Sequence, residues 1–362
     1  MIMDLPGQTE HVRLTYDAVI ATRHRIEALK LSIPLLLAQS RPPARLIVID
    51  SSDDHAPVAK TVRDVCTGWD GELIVEHSAP GLPHQRNIGL RHVTAPIVFF
   101  PDDDSLLLPD AARAILEIYE RDTDESIAAV CAGEAMTPPD GIDLKAADWM
   151  SATHRREARW RHYRNWLEKR VSILKPQLYL GGIFADRPTP AWLADFDGVS
   201  VEYMTGFRMS FRTKAILEPG FDETLGGYAL DEDIDASFSA AQKGLVVAAR
   251  RARIYHHRFP GGRGDGARLG RMEILNRLYI GLKHASRDDM AARAETGMRW
   301  RLKGFVLFKL LAALSGARSA YGRARLRGAL AAVRASAPIW RARGQSELAS
   351  AYRAAFLRAE NG

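Results

Sequence analysis

The sequence predicts an α/β domain built on a sheet with flanking helices, followed by a basic helical module. Three observations carry this. Short apolar runs alternate with amphipathic stretches through the first hundred residues. Two of those runs end in acidic residues, at Asp50 and at Asp102-Asp103-Asp104. Positive charge collects late: Ala291–Gly362 holds 14 Lys/Arg against 3 Asp/Glu, or +11, in a chain of net charge +6, so the first 290 residues carry −5.

Composition narrows the class. A chain of 362 residues with 46% hydrophobic and 26% charged residues has the make-up of a globular protein with one large core or two ordinary ones. Its two cysteines, Cys66 and Cys131, suggest neither a disulfide framework nor a zinc site and fit a reducing compartment. The N-terminus lacks the basic-then-apolar pattern of a signal peptide. No run reaches the roughly 18 apolar residues of a membrane span. A cytoplasmic protein is expected, with a flexible stretch over residues 1–13.

The elements follow in order. Asp17–Thr22 reads as a buried strand, and the basic loop Arg23–Arg25 follows it. Ile26–Gln39 has helical apolar spacing, but Pro34 removes a helix hydrogen bond, so a break or kink is expected there. Arg45–Asp50 and Glu72–Glu76 read as further strands, and the strand–helix rhythm argues for parallel pairing. Gly81 opens a helix with Arg86 and Asn87 in its first half. An arginine there adds its charge to N–H groups suited to phosphate, although on spacing alone a surface cation is the simpler reading. Ile97–Phe100 then runs into the three aspartates. Clustered carboxylates repel unless a cation neutralises them, and hard divalent ions prefer oxygen ligands. Asp102 and Asp104 are therefore expected to hold a metal–diphosphate, with Asp103 shaping the site.

Val48-Ile-Asp-Ser-Ser52, Gly81-(x)4-Arg-Asn-Ile-Gly-Leu90 and Phe99-Phe-Pro-Asp-Asp-Asp104, in this order and at these intervals, resemble family 2 of the inverting glycosyltransferases. The resemblance covers about residues 15–260. It implies a GT-A (Rossmann-like) mixed sheet over residues 14–266, with a donor half to about 132 and an acceptor half beyond it. Residues 267–362 would form the helical extension. It further implies that Thr22 and Asp50 lie near the base and ribose, that Arg25 and Arg86 border the nucleotide, and that Asp102 and Asp104 bind Mg²⁺ or Mn²⁺. Where the family commonly shows two acidic residues and a glycine after the second strand, this chain reads Asp50-Ser-Ser-Asp53, which leaves the base preference open.

Beyond residue 133 the pattern is harder to read. His154–Arg170 is a basic, aromatic stretch with seven Lys/Arg against two Glu, suited to an acceptor or a membrane surface. Val201–Arg212 alternates as a half-buried strand would, and the resemblance places Gly206 beside the donor sugar and acceptor. Asp231-Glu-Asp233 follows a glycine loop and opens a helix to about Lys243. Acidic residues also suit any helix N-terminus. The resemblance assigns Asp233 as catalytic base with Glu232 beside it, and a carboxylate within reach of a sugar hydroxyl can take its proton. A strand over Gly244–Ala249 leads to Ile254–Phe259, where either His256 or His257 would join the metal or diphosphate. Pro260–Gly266 reads as a mobile loop carrying Arg263 towards the diphosphate.

The expected activity is transfer of a hexosyl or deoxyhexosyl group from a nucleotide-diphosphate sugar to a saccharide or lipid-linked acceptor, in cell-surface polysaccharide synthesis. Helices expected near 289–315, 318–336 and 345–359 are basic, and would suit an anionic membrane surface at the inner face of the cytoplasmic membrane. Specific nucleic-acid binding is not expected. A sugar nucleotidyltransferase is the second enzyme reading, opposed by the missing glycine in Ala21–Arg25; a non-catalytic basic scaffold is the third, opposed by the carboxylates of both acidic sites.

Overall fold

A computed structural model describes residues 13–142, 188–259, 265–285, 292–317, 319–342 and 345–361. Residues 1–12 of the expected flexible N-terminus, the basic aromatic stretch 154–170 and Arg263 lie outside these residues. Among the described residues up to His256, the chain is organised by one nine-stranded sheet. Its first half is parallel: β1 (Tyr16–Thr22) pairs with β2 (Arg45–Asp50) on one side and β4 (Ile97–Phe100) on the other, and β2 pairs with β3 (Glu72–His77). All four residues of β4 are buried, as strands covered on both faces require. Asp17 of β1 accepts the N–H groups of Thr94 and Ala95 at 2.7 and 2.9 Å, anchoring the approach to β4.

The second half is mixed, because four pairings there are antiparallel. β8 (Met209–Arg212) is antiparallel to both β4 and β6 (Ile127–Glu134). β6 is parallel to β9 (Leu245–His256), which also takes β5 (Ser105–Leu107) and β7 (Gly198–Ser200) antiparallel. The expected separate strands at 244–249 and 254–259 are thus one long strand, with a register shift opposite Ala132 and Gly133 that bends it past the site.

Helices cover both faces. α1 (Ile26–Leu37), α2 (Ala56–Val65) and α4 (Ala111–Arg121) bury Leu29, Ile33, Val58 and Ile115 on one. α3 (Leu82–Arg91) and α5 (Glu232–Ala240) bury Ile88, Ala236 and Ala240 on the other. Contrary to expectation, α1 runs unbroken through Pro34. That residue is exposed, so the carbonyl it leaves unpaired can face water, and the Ala38 N–H restores the ladder on Pro34 O at 2.9 Å.

A second core joins α6 (Gly266–Ala285), α7 (Ala292–Ser315), α8 (Ala320–Ala335) and α9 (Gln345–Asn361) around Leu275, Leu278, Leu282, Leu302, Ala332 and Tyr352. Glycines let α6 and α8 approach closely: a Cβ on Gly270 would stand 2.0 Å from the Arg325 carbonyl oxygen, and one on Gly328 1.9 Å from that of Ala267. α5 belongs to both cores, since its Ile234 and Phe238 face the helical one.

Polar contacts lock α5 to α6. Lys283 Nζ lies 2.8 Å from Asp222 Oδ2 and 2.8 Å from Asp235 Oδ2, and His284 Nε2 is 2.8 Å from Asp235 Oδ1. Against its burial, Lys283 and His284 hold Asp235 below the usual carboxylate range. A depressed folded-state pKa means that this stability is present above about pH 3.9 and is lost as pH falls towards the folded value. Lys283→Met should therefore cost about 3–5 kcal/mol at neutral pH, by leaving buried carboxylates without their cation. Urea titrations should also show the variant losing less on acidification below about pH 4 than the wild type does; equal acid sensitivity would refute the assignment.

Candidate active site

The chain runs from β1 outward to β3 and then returns to β4 on the other side of β1, so strand order reverses at β1. Crevices at such reversals, beyond the carboxyl ends of the strands, are where open α/β sheets bind ligands. Thr22 ends β1, Asp50 ends β2 in register with it, and Asp102–Asp104 follow β4. The two antiparallel neighbours deliver the rest. Phe100 pairs with Met209, so Gly206 and Phe207, just before β8, lie beyond the end of β4. Ser105 pairs with His256, which brings that histidine beside the aspartates. The Ser105 hydroxyl fastens this corner, donating to Phe207 O at 2.7 Å and accepting from the Asp102 N–H at 3.0 Å.

Two arginines hold the carboxylates together. Arg86, 2% exposed, donates through Nη2 to Asp102 Oδ1 at 2.9 Å and through Nη1 to Glu232 Oε1. Arg25 donates to Asp103 Oδ1 at 2.6 Å, to Asp104 Oδ2 at 3.3 Å and to Phe259 O at 2.6 Å. Thr22 Oγ1 donates to Asp103 Oδ2 at 2.8 Å. With both oxygens engaged, Asp103 is a structural member of the triplet, and burial pushes it up to about 7. Burial also raises Asp102, with Arg86 pulling against it. Asp104 is held low despite its burial, chiefly by His256, Arg25 and the Phe259 N–H.

Asp102, whose side chain is 31% exposed, opens to solvent, whereas those of Asp103 and Asp104 are 4% and 3% exposed. Among the described residues, Asp102, Asp104 and His256 bring three ligand atoms within 4.8 Å of one another. Asp104 Oδ1 is buried without a hydrogen-bond partner and faces His256 Nε2 at 3.4 Å. Phe207 stacks on the His256 ring with centroids 4.4 Å apart, fixing its plane. An orphaned carboxylate oxygen, a second carboxylate and an imidazole fit Mn²⁺ or Mg²⁺. His257 is outside the cluster; its N–H binds Asp104 O at 3.1 Å while its ring packs on Phe259.

The second acidic site converges on the first. Asp231 precedes α5 with φ of 71°, and Arg277 of α6 grips both its carboxylate oxygens at 2.8 Å. That grip sets where α5 starts. Glu232 is buried on Arg86, while Asp233 is half-buried and accepts the N–H groups of Gly206 at 2.8 Å and Ile234 at 2.9 Å. Each carboxylate oxygen keeps a lone pair beyond these bonds. Burial raises Asp233, so it is a stronger base than an ordinary aspartate. Gly206 faces this junction: a Cβ there would stand 3.6 Å from both Arg86 Nη2 and Glu232 Oε1. It opens a 3₁₀ turn over Gly206–Arg208 rather than lying in the strand expected over Val201–Arg212, which begins only at Met209. The Gly206 N–H is spent on Asp233 instead of a ladder.

Asp50 stands apart from the cluster. It is fully buried, with Oδ1 accepting from the Ser52 N–H and hydroxyl at 2.9 and 2.6 Å and Oδ2 2.9 Å from His55 Nδ1. Sequence reasoning missed several contributors. Gln85 bridges Thr22 O and Ile49 O at 2.9 and 2.8 Å, tying α3 to two strand ends. Phe207, Ser105 and Arg277 act through contacts between distant segments, and only the clustering of Asp231 with Asp233 hinted at the last.

If Asp102, Asp104 and His256 are the ligands, Mn²⁺ at a hundredfold excess over its dissociation constant should stabilise the wild type by about 2.7 kcal/mol. Thermal unfolding of His256→Ala should show little or none of that gain, and His257→Ala should keep it. The same loss in both variants would remove His256 from the site.

The family model described as Glycosyl transferase family 2 matches residues 17–171. Among solved structures, the mannosyltransferase PcManGT from Pyrobaculum calidifontis, in complex with GDP-Man and Mn²⁺, is 18% identical with a TM-score of 0.50, over 96% of this chain and 87% of that one. S. aureus TarS 1-349 is 11% identical with a TM-score of 0.50, over 96% and 92%; the same fragment in complex with UDP-GlcNAc gives the same values. No curated protein matches the chain. The family match ends before Gly206, Glu232, Asp233 and His256, so their assignment rests on the geometry above. The mixed sheet is the GT-A fold, and residues 17–171 are similar to the glycosyl transferase family 2 model.

Proposed function

We propose that this chain is an inverting, metal-dependent glycosyltransferase. It moves a hexosyl or deoxyhexosyl group from a nucleoside-diphosphate sugar to a hydroxyl of a saccharide or lipid-linked acceptor, serving cell-surface polysaccharide synthesis from the cytoplasmic side. One observation carries the reading: a half-buried carboxylate of raised basicity, Asp233, lies one residue from Glu232, and Arg86 links Glu232 to the Asp102–Asp104–His256 cluster. The sugar nucleotides held by PcManGT and TarS support the donor class.

Asp102, Asp104 and His256 would hold Mg²⁺ or Mn²⁺, which supplies positive charge opposite a diphosphate leaving group. Asp233 takes the proton of the acceptor hydroxyl as its oxygen bonds to the anomeric carbon. The bond from that carbon to the diphosphate oxygen breaks on the opposite side, so the anomeric configuration inverts. Gly206 donates its N–H to Asp233 and holds that carboxylate in place, while its missing side chain leaves room beside Arg86 and Glu232. Glu232 keeps Arg86 charged and oriented. Arg25 and Thr22 fix Asp103 and thereby the loop that presents its neighbours.

Purified protein incubated with Mn²⁺, an acceptor extract and a panel of nucleotide sugars should release nucleoside diphosphate from one donor. Asp233→Asn should slow that release roughly 10²–10⁴-fold. In the wild type, activity should fall on acidification at a pH above the ordinary carboxylate range, because Asp233 must be deprotonated to act and burial raises it. An α-linked donor should give a β-linked product by NMR. Retained configuration, or full release by the asparagine variant, would reject the mechanism.

A further inference from the structure

The outer side of α7 departs from the rest of the surface. Its inner face is ordinary core: Leu302, Phe305 and Ala313 are 1%, 6% and 2% exposed. At helical spacing on the opposite face stand Trp300, Leu307, Leu311 and Leu314, exposed to 67%, 57%, 56% and 61%. One helix thus has two apolar faces, and among the described residues only the inner one is covered. A contiguous exposed apolar stripe of this kind marks an interaction surface.

Charge identifies the partner. From residue 296 to residue 346 the sequence contains 11 Lys/Arg and no Asp or Glu. Glu273 of α6 takes up two of those cations, Lys309 and Arg325. Lys303 lies along the stripe, its Nζ 4.7 Å from the Trp300 ring centroid. Beside it a cavity of about 400 Å³ is lined by Arg299, Lys303, Val306, Val333, Ser336 and Trp340, so two cations and a hydroxyl meet apolar walls at the edge of the stripe. This is the arrangement a phospholipid presents in mirror image, with an anionic headgroup next to acyl chains.

We propose that the outer face of α7 docks the protein on an anionic phospholipid bilayer, with Trp300, Leu307, Leu311 and Leu314 in the acyl boundary and Lys303 meeting headgroup phosphates. Basic amphipathic helices lie in the interface plane in this way. Among the described residues no helix is long and apolar enough to cross a membrane, so the contact is peripheral. A second copy of the chain fits less well, because it would bring the same cations against the stripe with no acidic residue to meet them. Nucleic acid would leave three leucines facing phosphates. The inference stands on this surface alone and does not depend on the reaction proposed above.

Full-length protein should float with vesicles of phosphatidylcholine mixed with phosphatidylglycerol, more weakly at high salt, and not with phosphatidylcholine alone. Lys303→Gln should lower the partition coefficient roughly fivefold. Leu307→Gln combined with Leu311→Gln and Leu314→Gln should lower it at least about tenfold, with the unfolding temperature unchanged because all three side chains are exposed. As a check independent of any variant, hydrogen exchange of the wild type on anionic vesicles should show new protection over residues 300–314. Equal flotation of the triple variant, no flotation of the wild type, protection elsewhere, a dimer in solution that covers the stripe, or preferential RNA binding would each overturn the proposal.

Discussion

Arg86 sits in the interior with a full positive charge, joining Asp102 at the exit of β4 to Glu232 at the start of α5, which lies 146 residues beyond Arg86 in the chain. An isolated charge buried so deeply would cost several kcal/mol; pairing on both sides offsets that cost. The same pairing makes the carboxylates tolerable to one another, since desolvation alone would drive them to protonate. Phe221 closes one side of the guanidinium, its ring centroid 5.3 Å from Cζ. Removing this one side chain would unfasten the aspartate loop from the helix that carries Asp233. The aspartate loop and the start of α5 are thus coupled through one arginine and its two ion pairs, which a reader of either motif alone would not see.

The helical module has a direct part in that arrangement. α5 packs Ala236 and Ala240 on the sheet, and Ile234 and Phe238 on the helices. Its first turn is set from the module's side, by Arg277 on Asp231 and by the Asn276 side-chain amide donating to Leu230 O at 2.7 Å. Its middle is held by Lys283 and His284 on Asp235. Asp231 adopts a left-handed conformation, which aspartate tolerates better than most residues other than glycine, and the bidentate arginine holds it there. On the proposed mechanism the base must be held within hydrogen-bond reach of its substrate, so the rigidity of this module would bear on catalysis even though, among the described residues, it contributes no carboxylate to the cluster.

What the sequence revealed, and what it hid, divides along a physical line. The strands ending at Thr22, Asp50 and Phe100 were legible because buried parallel strands are continuous apolar runs, and the aspartates beyond β4 stood out against them. The choice between His256 and His257 was not legible. Alternate residues of a strand point to opposite faces, and only the Ser105–His256 register across β5 and β9 decides which ring meets Asp104. Gly206 was placed near the site by resemblance, but its strand was misread: the alternation of Val201–Arg212 is real, yet the backbone there serves Asp233 rather than a ladder. Of the break or kink expected at Pro34, the break does not occur, because the cost of proline depends on whether the orphaned carbonyl can reach water. Each miss concerns a long-range contact or solvent access, neither of which local pattern encodes.

Charge balance carries the site one step further. Asp102, Asp103, Asp104, Glu232 and Asp233 contribute up to five negative charges, against two from Arg25 and Arg86. Burial pushes Asp103 up to about 7 and Glu232 up to about 8, and protonating both would still leave three carboxylates against two arginines. A nucleoside diphosphate would add two or more negative charges to a pocket already in deficit, and in a partly desolvated site like charges within a few ångströms repel by several kcal/mol. On the proposed reading such a donor would need a compensating cation, and the orphaned oxygen of Asp104, facing His256 across 3.4 Å, is where that cation would fit. The same deficit explains why Arg86 must be buried: a guanidinium on a solvent-facing side chain would be screened and mobile, and would hold neither carboxylate in register.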